Sequence, residues 1–140
     1  MVESSGHARV AERFLAAFGA RDDAGLRALL AEDVVWSMPG SGTISGTVHG
    51  RDAAATRAWE IAGRGVRTEL LHVLVGRHGV ALSLHNTAVA ADGRELDEHL
   101  ATVLTVRDGV ITAIDSYLSD VDGMSAFFAH RTPGNRADQG

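Results

Sequence analysis

The apolar positions change period part-way along the chain. In the first third they recur at helical spacing. Val10, Phe14, Leu15 and Phe18 fall at i, i+4, i+5 and i+8, which predicts a helix that Ser4 or Ser5 caps and Gly19 stops. Leu26, Leu29 and Leu30 mark a short second helix behind Asp22 and Asp23. Val34, Trp36 and Met38 then alternate with Val35 and Ser37, as in a strand with a bulky inner face. From 39 to 50 the pattern lapses into a glycine-rich loop. A third helix is expected over about 52–61, with Ala55, Trp59 and Ala62 on one side and Gly63 and Gly65 ending it.

Beyond Gly65 the period drops to two. Runs at 66–75, 80–90, 95–106 and 110–118 predict four strands, and Gly76-Arg77-His78-Gly79, Asp92-Gly93 and Asp108-Gly109 between them are hairpin-turn signals. The apolar stretch 124–129 is a candidate last helix. Residues 131–140 are expected to form a flexible polar tail after a single domain over 1–130. Helices first and an antiparallel meander after them make the class α+β. Leu82 and Leu84 lie in one phase of the meander, Ala81 and Val89 in the other, so both sheet faces carry apolar residues and both should be covered. The helices can cover one. A second copy of the chain is expected on the other, giving a homodimer.

Composition then excludes chemistries. At 140 residues with 45% hydrophobic and 22% charged residues, the chain is one ordinary globular domain. A net charge of -5 leaves no basic face for a phosphate backbone, so no nucleic-acid partner is expected. Cysteine is absent, which removes disulfides, thiolate metal sites and a cysteine nucleophile. Lysine is absent too: all 13 basic residues are arginine, so no Schiff base and no P-loop lysine can form. No signal peptide and no apolar run of about 18 residues is present. A cytoplasmic protein without a membrane partner is the expectation.

The order helix, helix, strand, helix, meander resembles the nuclear transport factor 2-like superfamily, in particular its SnoaL-like members. The residues carrying the likeness are Phe14-Leu15-Ala16-Ala17-Phe18, Ala31-Glu32-Asp33-Val34-Val35-Trp36, His49-Gly50-Arg51-Asp52-Ala53, Val106-Arg107-Asp108-Gly109-Val110-Ile111 and Tyr117-Leu118-Ser119-Asp120-Val121. The resemblance implies a cone: a curved antiparallel sheet closed by three N-terminal helices around an apolar pocket. It does not bring an activity with it, since one such fold hosts many chemistries. The steroid isomerases of the superfamily use a tyrosine, an aspartate base and an aspartic acid. By resemblance these positions are Phe14, Met38 and Thr102 here, and none holds the needed group. The limonene-type epoxide hydrolases use an Arg/Asp pair and a further Asp, at positions resembling Ser83, His85 and Ser116. Neither activity is expected.

His85 is then the candidate proton carrier, because imidazole titrates near neutrality. Its orientation hangs on one turn. If Asp92-Gly93 is a two-residue turn, Ser83 faces Thr102 and His85 faces Leu100, and the resemblance, which implies that Thr102 lines the pocket, puts His85 there too; a three-residue loop sets His85 opposite His99. The pocket-facing arrangement is the one expected. Ser83, Asn86, Thr102 and Ser116 would supply hydrogen bonds, with Phe14, Trp36, Met38, Trp59 and Leu118 as the wall. A three-residue Arg107-Asp108-Gly109 loop would put Ser116 on the face of Leu100 and Thr102 and turn Tyr117 outward. Asp97 and His99 share a strand face, and His72 or His85 could add a ligand. No metal-ligand spacing of known specificity occurs, so no metal and no cofactor are expected. His49-Gly50-Arg51-Asp52 precedes a helix start, where it could cap the helix or attract an anionic group. The expected ligand is a small apolar, oxygenated molecule, bound either for cofactor-free proton transfer or without catalysis.

Overall fold

The computed structural model describes residues 2–129, and the tail expected over 131–140 lies outside them. Helix α1 (Val2–Ala20) begins ahead of Ser4 and Ser5, so neither serine is its cap. It ends where Arg21 takes a left-handed φ of 57°. Asp22 caps α2 (Asp23–Leu29) by accepting a hydrogen bond from the Gly25 N–H. Leu30, expected in that helix, instead opens β1 (Leu30–Met38). Within the expected loop lies a short strand, β2 (Gly46–His49), which pairs antiparallel with β1. Four residues led by a glycine are too few to display alternation, so only β1 as a template reveals it. Helix α3 (Arg51–Ala62) is followed by β3 (Arg67–Val75), β4 (Gly79–Val89), β5 (Glu95–Arg107) and β6 (Val110–Leu118). Their limits fall within one residue of those the sequence predicts. Helix α4 (Val121–Ala129) starts three residues before the apolar stretch, at a cap made by Asp120, which accepts from the Gly123 N–H.

The strands form one open, curved sheet in the order β2-β1-β6-β5-β4-β3. Every pairing is antiparallel except β1 with β6, which is parallel. The four-strand meander leaves the outer edge of β6 unpaired, and β1 fills that edge running the same way. Among the described residues the α+β cone therefore has six strands and four helices rather than three. Helix α1 packs on β3, β4 and β5, α3 on β1 and β2, and α4 on β5, all on the inner face. Val34, Leu82, Leu104, Ile111 and Phe128 have no exposed surface there. Burying a side chain of this size contributes about 1.5–3 kcal/mol, so α4, with Phe127 and Phe128 both in the core, is part of the fold and not an appendage.

Two irregularities decide which side chains face inward. Between β4 and β5 the loop holds three residues, because the Ala90 N–H donates to the Arg94 carbonyl at 2.8 Å and encloses Ala91, Asp92 and Gly93. Ser83 is therefore opposite Ala101 and His85 opposite His99. Between β5 and β6 the turn is the two residues Asp108 and Gly109, at φ 53° and 81°. That turn alone would set Thr102 opposite Asp115. A bulge at Thr112 shifts the register by one, and Thr102 faces Ser116. Ser116 thus shares the face of Leu100 and Thr102 as expected, by a different device from the three-residue loop.

Candidate functional site

The inner face of the sheet and helices α1, α3 and α4 surround a cavity that opens to solvent. Most of the wall is apolar. Helix α1 contributes Phe14, Leu15 and Phe18, β1 contributes Trp36 and Met38, and α4 contributes Met124 and Phe128; Ile61, Leu84 and Leu100 complete it. Periodicity explains this. Trp36 and Met38 are two apart on a strand, and Phe14 and Phe18 are four apart on a helix, so each pair projects to one side.

Four polar residues interrupt the wall: Thr68, Asn86, Thr102 and Ser116. The Trp36 indole Nε1–H donates to Ser116 Oγ at 3.2 Å, and Thr68 Oγ1–H donates to Asn86 Oδ1 at 2.7 Å. The Asn86 amide N–H groups have no hydrogen-bond partner among the described residues. Thr102 is buried as a residue, and its hydroxyl, open to the cavity, has no hydrogen-bond partner among the described residues. Trp36 is itself braced from behind. Arg57, 5% exposed, donates to the Trp36 and Ser45 carbonyls, each at 3.1 Å, and its guanidinium stands 5.5 Å from the indole centroid. Burial pushes the Arg57 pKa below its ordinary value, with Glu60 opposing.

Of the residues predicted from sequence, Phe14, Trp36, Met38, Thr102 and Ser116 line this cavity, as does Asn86. The three positions that resemble the working residues of steroid isomerases thus do face one space. His85 and Ser83 do not. The three-residue loop sends both to the outer face, while Leu84 and Asn86 take the inner one. The expectation of a pocket-facing His85 is corrected on that ground. Trp59 is not in the wall either: it stacks on Phe18 at 6.3 Å and its indole N–H donates to Asp23 Oδ1 at 2.7 Å. That bond, aided by Arg27, holds the Asp23 carboxyl below its ordinary pKa. Leu118 pairs with Leu100 but lies beyond the lining. Asp52 pairs with Arg27, and Gly50 occupies the cap position of α3 with no side-chain cap.

Sequence reasoning missed Thr68, Arg57 and Glu98. Arg57 sits in an alanine-rich helix and reads as solvated. Glu98 reads as part of an exposed Asp97-Glu98-His99 hairpin edge, yet it is 1% exposed on the inner face. Its Oε2 accepts from the Ser119 hydroxyl at 2.9 Å and the Asp120 N–H at 2.8 Å, and Oε1 has no partner among the described residues.

On the outer face His85 Nε2 lies 2.6 Å from Asp97 Oδ1, and Nδ1 lies 3.8 Å from Glu69 Oε1. The His99 ring stacks on it, 4.3 Å away and 3° from parallel. Hydrogen bonding to Asp97 raises the His85 pKa above its ordinary value; partial burial opposes this and Glu69 adds to it.

Residues 11–114 match the SnoaL-like domain family. The uncharacterized protein Rv0034 of Mycobacterium tuberculosis is 29% identical over 120 residues, 84% of this chain and 92% of that protein. The fold is similar to that of Bal32a from a soil-derived mobile gene cassette, with a TM-score of 0.84 and 28% identity over 90% of this chain and 98% of that one. It is also similar to Rv0760c of Mycobacterium tuberculosis, solved in complex with estradiol-17β-hemisuccinate, with a TM-score of 0.70 and 19% identity over 80% and 92% of the two chains. No helix among the described residues is long and apolar enough to cross a membrane.

Proposed function

The chain belongs to the SnoaL-like domain family, and we propose that its task is to bind a small, mostly apolar, oxygenated molecule in the cavity beside Trp36. The observation that carries this is the lining. It is aromatic and aliphatic, broken by neutral hydrogen-bonding groups alone: the Thr102 hydroxyl, the Asn86 amide and the Trp36–Ser116 pair. Such a wall favours a ligand whose buried part is uncharged and carries one or two oxygens. A fold relative solved with a steroid ester agrees with that chemistry. Binding is favoured over acid/base catalysis because, among the described lining residues, no side chain titrates near neutrality. The working form is a homodimer joined through the outer sheet face.

The test is titration with estradiol-17β-hemisuccinate as probe, followed by tryptophan fluorescence. Leu84→Trp fills the cavity and should abolish binding. Thr102→Val keeps the shape but loses the hydroxyl, and should weaken binding about 2–12-fold, the value of one hydrogen bond. His85→Gln, on the opposite face, should change nothing. Binding that survives Leu84→Trp and Thr102→Val, or that His85→Gln abolishes, would refute this site. A second probe of the same class, an uncharged steroid, separates recognition of the ring system from recognition of the ester's carboxylate.

A further inference from the structure

We propose that the outer face of the sheet carries a divalent transition-metal site, built from His85, Asp97 and His99, that takes Zn²⁺. The argument does not depend on what the inner cavity binds. Strand pairing sets His85 directly opposite His99, and Asp97 lies two residues before His99, so all three project from one face of β4 and β5. One donor atom from each lies within 4.8 Å of the other two. In a tetrahedral zinc site with bonds of about 2.0–2.1 Å the donors sit about 3.4 Å apart. Closing that difference needs the His99 ring to turn out of its stack on His85, so that both ring planes meet at the ion. Two imidazoles and a carboxylate suit zinc and disfavour magnesium and calcium, which want oxygen donors throughout. A fourth position is left to water.

The surroundings fit as well as the donors. His85 turns Nε2 toward Asp97, while Nδ1 faces the Glu69 carboxylate on the neighbouring β3 at 3.8 Å. A metal-binding imidazole usually gives its second nitrogen to such a carboxylate, which fixes its orientation. Glu69 is therefore a positioning residue. In the single chain the His85 side chain is 25% exposed and that of Asp97 74%, so an ion can enter before the outer faces of two chains meet.

The test uses the untagged chain, freed of metal by chelator and dialysed against Zn²⁺ at micromolar protein. The expected result is one zinc per chain, retained in excess Mg²⁺. His99→Gln and Asp97→Asn should each weaken binding by more than about tenfold, and Glu69→Gln by about tenfold. His78→Gln, in a turn, should leave it unchanged. Co²⁺ in place of zinc should give the visible absorption of a four-coordinate site, lost in His99→Gln. Circular dichroism of each variant confirms that loss of metal is not loss of fold. Absence of stoichiometric zinc, or binding that either His99→Gln or Asp97→Asn leaves intact, overturns the proposal.

Discussion

Asp97 and His85 form the shortest contact of the outer cluster, and it has a measurable consequence without any metal. Donation of a ring N–H to the Asp97 carboxylate favours the protonated ring, so in chelator-treated protein His85 should titrate above its ordinary value of 6.5. A folded pKa above the unfolded one means that the pairing stabilises the fold fully below about pH 6.5. That contribution is then lost as pH rises through the folded pKa. The imidazole Cε1–H resonance, followed by NMR, reads the midpoint directly. Asp97→Asn should lower it toward or below 6.5, and a parent midpoint already below 6.5 would contradict the geometry. At this same scale Trp36 shows how one residue joins fold to site. Its ring is a wall, its N–H holds Ser116, and its carbonyl anchors a buried arginine.

At the scale of elements, Glu98 ties β5 to the start of α4, the helix that brings Met124 and Phe128 to the cavity. Glu98→Ala would leave the Ser119 hydroxyl and the Asp120 N–H without their acceptor, at a cost of about 1–3 kcal/mol. Urea unfolding should register that loss, and hydrogen exchange should quicken in α4 more than in β1. Glu98→Gln keeps an acceptor oxygen and should cost less; equal losses in the two variants would remove the role given to Oε2. Element existence was legible in the sequence because each long run keeps one period: Val34, Trp36 and Met38 need no partner to be read as an inner face. The site was legible only where it did not depend on register. Asp92-Gly93 is compatible with a loop of two residues or three, and that single residue exchanges Ser83 and His85 for Leu84 and Asn86. The same exchange buries Glu98 and exposes Asp97. The Thr112 bulge is equally silent, since nothing in Val110-Ile111-Thr112-Ala113 marks an unpaired residue. Ser116 was placed correctly because the shorter turn and the bulge offset one another.

At the scale of the whole molecule, helices cover the inner face of the sheet, and among the described residues nothing covers the outer one. Strand β3 is a sheet edge of nine residues, every one of them exposed, including Leu70, Leu71, Val73, Leu74 and Val75 at 39–58%. A long apolar edge of this kind invites association unless it is covered. Tyr117, 63% exposed, stands at the other side of the outer face, and between lie Ala81, Ser83, Ala101 and Ala113 together with Val103 and Asp115. A second copy can meet this face in the same way, as a two-fold contact requires. Light scattering on chelator-treated protein should therefore give twice the 14.7 kDa chain mass. Tyr117→Arg or Leu74→Arg should shift it to the single chain, because each sets a charge against its own face across the two-fold axis. Neither side chain lines the Trp36 cavity, so probe binding should persist in whichever variant stays folded. A parent protein that is monomeric at micromolar concentration would leave the β3 edge bare and remove the dimer from the proposed function.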